Sequence, residues 1–224
     1  MNPSLSLALD FGTGSGDFAC LLSKKFEGVI AFDISDRVID VARKKYGSIS
    51  NIKFITTGDV KDTGIQANSV DLILCITVLQ SIMDDKKLDE TINYFNDVLR
   101  KNGFIVALEF ASDAESGFDG SASYLRFIRF KDWCSLFEKN GFRLHRSYGF
   151  YHPTDMPCHS YSEYRRKLGY SKFKALGLVS KFLNLTWKDK YLNYIAAEST
   201  RRGEYDFIWT DKKRSLSKFM VFQK

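Results

Sequence analysis

The chain has 224 residues, of which 44% are hydrophobic and 27% charged, proportions of a folded domain with room for a sizeable core. No apolar run reaches the roughly 18 residues that a membrane-spanning helix needs. The opening MNPSLSLALDF lacks the basic stretch of a secretory leader and meets Asp10 early, so a cytoplasmic protein is expected. Cys20, Cys75, Cys134 and Cys158 are widely spaced and read as free thiols in a reducing compartment.

The net charge of +6 is unevenly placed. Residues 1–150 hold 18 basic and 20 acidic side chains, whereas residues 151–224 hold 15 and 7. A basic region therefore follows a near-neutral body. It suits an anionic small molecule or glycan, a nucleic acid or a membrane surface, or it is simply a solvated lysine-rich face.

In chain order, the residues alternate between strand and helix patterns. SLALDF predicts a first strand and DFACLLSKKF a helix. VIAFDI is a second strand, and DRVIDVARKKYG a helix with Val38, Val41, Ala42 and Tyr46 on one side, ending at Gly47. IKFITTG and VDLILCIT are strands three and four. DDKKLDETINYFNDVLRKNG predicts a long helix closed by Asn102–Gly103, and GFIVALEF the fifth strand. YLRFIRFKDWCSLFEKNG predicts another helix, FRLHRSYGFYH a sixth strand, and SLSKFMVFQK a last one.

Such alternation implies an α/β fold, a doubly wound and mostly parallel seven-stranded sheet with helices on both faces. No ordinary helix directly precedes the last strand, so it is expected to insert antiparallel. The expected organisation is one domain, with a core of residues 1–152 and 214–224. Residues 153–213 form a helical insertion that supplies a lid.

The chemistry concentrates at Leu7–Phe18, LALDFGTGSGDF. Gly12, Gly14 and Gly16 let the backbone turn tightly and approach a ligand. A phosphate-cradling Walker loop needs Gly-Lys-Ser/Thr, and no lysine occurs before Lys24. Gly14-Ser-Gly16-Asp-Phe-Ala19 does fit the dinucleotide pattern G-x-G-x-x-A, with Asp33 at a suitable distance. Against that reading, Asp10 and Asp17 place two carboxylates where a pyrophosphate would lie. They suit a ligand with a cationic end, such as S-adenosylmethionine, which carries an ammonium and a sulfonium.

Asp10-Phe-Gly12-Thr-Gly14-Ser-Gly16 resembles motif I of the class I, Rossmann-like S-adenosylmethionine-dependent methyltransferases. The resemblance continues through "AFDIS", "GDV", VDLI followed by "CITVLQSI", "LRKNGFIVALEF" and "FIRFKDWCSLFEKNGFRL", covering about residues 7–150 and the terminal strand. It implies S-adenosylmethionine as cofactor. It further implies that Asp33, with Ile34 beside it, accepts from the ribose hydroxyls, that Asp59 accepts from the adenine amino group, and that Val60 packs on the ring. Asp10, Gly12, Thr13, Gly14 and Gly16 would surround the methionine moiety, with Cys75 and Ile76 close by. A donor already carrying an activated methyl group leaves the protein mainly to position and desolvate.

The acceptor is read from weaker signs. The Asn/Asp-Pro-Pro-Tyr/Phe motif of nucleobase amino-methyltransferases is missing after strand four, where Cys75-Ile-Thr-Val-Leu-Gln80 stands. Oxygen methylation of a polar or anionic small molecule or glycan is the leading expectation, with nucleic acid disfavoured. The R-x-x-D-W…F-E-K-N-G-F run and the basic aromatic tail are similar to methyltransferases of bacterial surface-polysaccharide pathways. Candidate catalytic groups are His152, His159 and Glu109. Candidate substrate contacts are Gln80, Arg126, Arg129, Arg165 and Arg166. No metal is expected, since His152, Cys158 and His159 lack a fourth ligand. The basic aromatic insertion is a candidate for peripheral membrane contact. An RNA or protein methyltransferase and a catalytically silent binding subunit are the alternatives.

Overall fold

The computed structural model describes residues 5–111, 125–150 and 217–224. The chain divides into two compact units, Met1–Ser147 with Ser217–Lys224, and Tyr148–Leu216. The first unit is built on a seven-stranded sheet. Its strands are β1 (Leu7–Phe11), β2 (Gly28–Asp33), β3 (Ile52–Thr56), β4 (Val70–Ile76), β5 (Leu99–Phe110), β6 (Arg143–Phe150) and β7 (Ser217–Gln223). The spatial order is β3-β2-β1-β4-β5-β7-β6. β1 pairs in parallel with β2 and β4, β2 with β3, and β4 with β5, while β7 runs antiparallel to β5. The expected sheet and its antiparallel last strand are thus present, with β7 lying inside β6.

Burial on both faces explains the apolar strands. Leu9, Ile73, Cys75, Ile105 and Phe222 are fully buried on β1, β4, β5 and β7. The helices are α1 (Asp17–Leu22), α2 (Asp36–Tyr46), α3 (Asp85–Val98) and α4 (Phe130–Lys139). α3 covers the core with Leu88, Ile92, Phe95 and Val98. α4 contributes Trp133 and Phe137, and the Phe137 ring stacks on Phe222 with centroids 3.9 Å apart. Each such burial contributes about 1.5–3 kcal/mol, which fastens the last strand to the preceding helix.

Three expected helices are shorter than their patterns; α1 already ends at Leu22. α3 stops at Val98, and Leu-Arg-Lys-Asn-Gly opens β5 instead of closing the helix. Leu99 is fully buried and pairs with Val70, while Arg100 forms an ion pair with the buried Asp71. Asn102 takes a φ of +63° within this strand. The helix before β6 begins at Phe130, not at Tyr124. The backbone N–H of Arg126 donates to the Gln80 carbonyl at 2.9 Å, a bond that holds residues 125–129 out of helical geometry.

Candidate active site

In an open parallel sheet the crevice forms where the strand order reverses, beyond the carboxyl ends of the strands. Here the reversal lies between β1 and β4. After β1 the backbone N–H groups of Gly12 and Thr13 both donate to the Phe32 carbonyl, at 2.9 and 2.8 Å, which bends the chain over the end of β2. Gly12, Gly14 and Gly16 have φ of +74°, +54° and +81°. A Cβ on Gly12 would stand 2.5 Å from Val78 Cγ2, so glycine lets this loop touch the segment after β4.

The loop is held from beneath and from one side. Asp10 is buried, and its Oδ2 accepts from the Thr13 hydroxyl at 2.6 Å. Burial pushes its carboxyl up to about 6, against the pull of that hydroxyl and with help from the nearby Asp33 charge. Asp33 Oδ2 accepts from Gly14 N–H at 3.1 Å, and Oδ1 from Ser35 N–H at 3.0 Å. Asp17 is answered by Lys45, Ser15 and Tyr46, whose donated hydrogen bonds lower its pKa. Its charge is therefore spent on α2, and it gives no support to the argument that it would repel a pyrophosphate.

A cleft of about 650 Å³ opens beside this loop. Of the expected cofactor residues, Gly12, Asp33, Ile34, Asp59 and Val60 line it. Ile34 is 72% exposed, unusual for an isoleucine and suited to the flat face of a ligand. Asp59 caps a short 3-10 turn, its Oδ1 accepting from Lys61 N–H at 2.9 Å, which leads Val60 back toward the core. Asp10 and Thr13 are buried instead of lining the cleft. Gly16 packs against Ala42, Tyr46 and Phe54, so it serves the close approach of α1 to α2 and β3. Cys75 is fully buried in the core, where desolvation drives its thiol well above the ordinary range, and Ile76 is placed by its pairing with Leu108.

Four expected substrate or catalytic residues are engaged by the protein itself. Glu109 is completely buried. Its Oε1 accepts from the N–H groups of Val78 and Leu79 at 3.2 and 3.0 Å, and its Oε2 from Gln80 N–H at 3.2 Å. Burial pushes this carboxyl up to about 8, against those three amides. Gln80 is also buried, and its Oε1 accepts from Phe110 N–H at 2.7 Å. Arg126 donates to Asp85 at 2.6 Å and to the Met83 carbonyl. The corrections at Glu109 and Gln80 share one cause: a buried polar side chain satisfies the nearest unpaired backbone groups when no water reaches it. Arg129, too, donates to Asp132 at 2.6 Å in the first turn of α4. His152, His159, Arg165, Arg166 and the insertion at 153–213 lie outside the described residues.

The sequence reading singled out the segment CITVLQSI but named only Cys75, Ile76 and Gln80 within it, whereas Val78, Ser81, Ile82 and the following Met83 line the cleft. The usable signal was the N-cap Asp84, whose Oδ1 accepts from Lys87 N–H at 2.9 Å and so fixes where α3 begins above Ile82 and Met83. Thr77 was also unforeseen. It holds φ +56°, a strained setting for a β-branched residue, with its N–H donating to the Leu108 carbonyl at 2.7 Å. Among the described residues no group of three His, Cys, Asp or Glu side chains could hold a metal. Nor is any helix there long and apolar enough to cross a membrane.

Residues 8–103 match the family model of a methyltransferase domain. A search of curated proteins finds no match. Among solved structures, the chain is similar to an S-adenosylmethionine-dependent methyltransferase of Mesorhizobium loti, at 13% identity over 99% of this chain and 93% of that one, TM-score 0.61. It is also similar to one of Aquifex aeolicus, at 18% identity over 64% and 76%, TM-score 0.51. The [4+2]-cyclase SpnF shares the fold as well, at 16% identity over 98% and 74%, TM-score 0.59. These likenesses establish the fold. The family match covers residues 8–103, less than half of the chain, and makes that segment similar to a methyltransferase domain.

Proposed function

We propose that this enzyme transfers the methyl group of S-adenosylmethionine to an oxygen atom of a polar or anionic small molecule or glycan. The observation that carries the donor half is that Asp33 and Asp59 line one cleft together with the exposed Ile34. In this reading Asp33 takes the ribose hydroxyls, Asp59 the adenine amino group, and Ile34 and Val60 the two faces of the ring. The remainder of the donor then extends toward Gly12 and Val78. No step needs more than alignment of the acceptor with the sulfonium and exclusion of water, since the donor carries the activated methyl.

The acceptor half rests on sequence. The segment Cys75–Gln80 lacks the proline-bearing motif of nucleobase amino-methylation, and residues 151–224 carry 15 basic against 7 acidic side chains. A polysaccharide-pathway acceptor fits both features. Arg165 and Arg166 are the proposed contacts for its anionic group, and His152 or His159 the proposed base.

An acceptor screen read by S-adenosylhomocysteine release tests this. Turnover with uronic-acid or other anionic sugar acceptors is expected, and salt should weaken it less than it would weaken binding to RNA. Turnover confined to RNA or protein acceptors would replace the reading. Absence of S-adenosylmethionine binding would remove its donor half as well.

A further inference from the structure

Glu109 lies at the end of β5, on the ligand-bearing edge of the sheet, yet it is completely buried. Its two oxygens accept three successive backbone N–H groups, those of Val78, Leu79 and Gln80. Around it the same two segments are tied twice more. Thr77 N–H donates to the Leu108 carbonyl at 2.7 Å, and Phe110 N–H to Gln80 Oε1 at 2.7 Å. The end of β5 and the segment after β4 thus form a clasp of five hydrogen bonds, all partly or wholly out of water except at Thr77, whose strained φ the clasp maintains.

What the clasp presents is Val78. This residue lines the cleft and abuts Gly12 so closely that a Cβ there would collide with it. On the reading above, the nucleoside sits at the ends of β2 and β3, against Asp33 and Asp59. In the strand order β3-β2-β1-β4-β5, the rest of the donor must then run toward β1 and β4, over Gly12 and Val78.

We propose that Glu109 is a positioning residue that shapes the part of the cofactor site holding the methionine half of the donor, acting through Val78. It touches neither donor nor acceptor. This inference rests on the donor reading under Proposed function.

The test compares two ligands on the full chain. S-adenosylhomocysteine carries both halves, and adenosine only the nucleoside. Glu109→Gln keeps the shape but sets an NH₂ donor against Gln80 N–H, whether or not the native carboxyl holds a proton. Calorimetry is expected to show S-adenosylhomocysteine binding weakened about tenfold, the scale of one lost buried hydrogen bond. Adenosine affinity should stay within about twofold. Equal weakening of both ligands, or of neither, overturns the proposal. If Glu109→Gln fails to fold by circular dichroism, Gln80→Met decides. It removes the Phe110 acceptor from the same clasp and should weaken S-adenosylhomocysteine about threefold with adenosine unchanged; no difference between the ligands overturns the proposal. Failure of the wild-type chain to bind either ligand would instead defeat the donor reading.

Discussion

Asp33 and Glu109 are both acids at the carboxyl ends of strands, β2 and β5, and both accept from backbone N–H groups of a neighbouring loop. Asp33 is half-buried and lines the cleft, with each oxygen holding one N–H and lone pairs to spare. Glu109 is sealed, and three amides share its oxygens. The lesson is that position on the ligand-bearing edge does not decide whether an acid can touch a ligand. Access to solvent does, because a carboxyl group that water cannot reach is committed to the chain before a ligand arrives.

The contact that joins the two regions is Gly12 against Val78, and breaking it should have the largest effect. Gly12→Ala combines a φ of +74° with a Cβ 2.5 Å from Val78. A loss of roughly 2–4 kcal/mol in stability is expected. Urea unfolding would show it as a lower midpoint at unchanged slope.

Asp33→Ala attacks the open acid alone. Donor affinity should fall by roughly 1.5–3 kcal/mol, about 10- to 100-fold, since hydrogen bonds to a charged acceptor disappear. The melting temperature without ligand should move little. A dissociation constant within error of wild type by calorimetry would erase the distinction between the two acids.

The sealed acid should reveal itself through pH. Burial raises the Glu109 carboxyl from an ordinary 4.5 to about 8 in the fold. Its proton-linked contribution to stability is fully present below the lower value and is lost as pH rises through the upper one. Thermal unfolding should therefore show stability declining between pH 5 and 8.5 by roughly 4 kcal/mol, and Glu109→Gln should flatten that decline. An unchanged slope in the variant would place the titration elsewhere.

Asp10 lies between the two cases, buried beside the glycine loop that, in the proposed function, meets the cationic end of the donor. Its carboxyl is raised to about 6, and a bound cation favours the ionised form. Donor affinity should then weaken about fourfold from pH 7.5 to 5.5 as Asp10 takes up a proton. Asp10→Asn should bind more weakly and without that dependence. Calorimetry across this range checks both.

The sequence by itself determined the order of strands and helices, because burial on both faces of a parallel sheet demands continuous apolar runs such as VDLILCI, and amphipathic helices such as α2 must turn one side to them. It also marked the glycine loop and the acid after β2, since positive φ at three nearby positions and a strand-end carboxylate are local requirements with local residue signals. Tertiary structure alone decided which polar groups face the cleft. Glu109 and Gln80 look like site residues in one dimension, but their partners are 29 to 31 residues away in sequence, across a strand pair. The same holds for the early end of α3, where the pairing of Leu99 with Val70 and of Arg100 with Asp71 outweighs helix propensity. Those choices depend on which unpaired backbone group or buried charge lies nearest in space, and proximity in space is what a linear pattern does not carry.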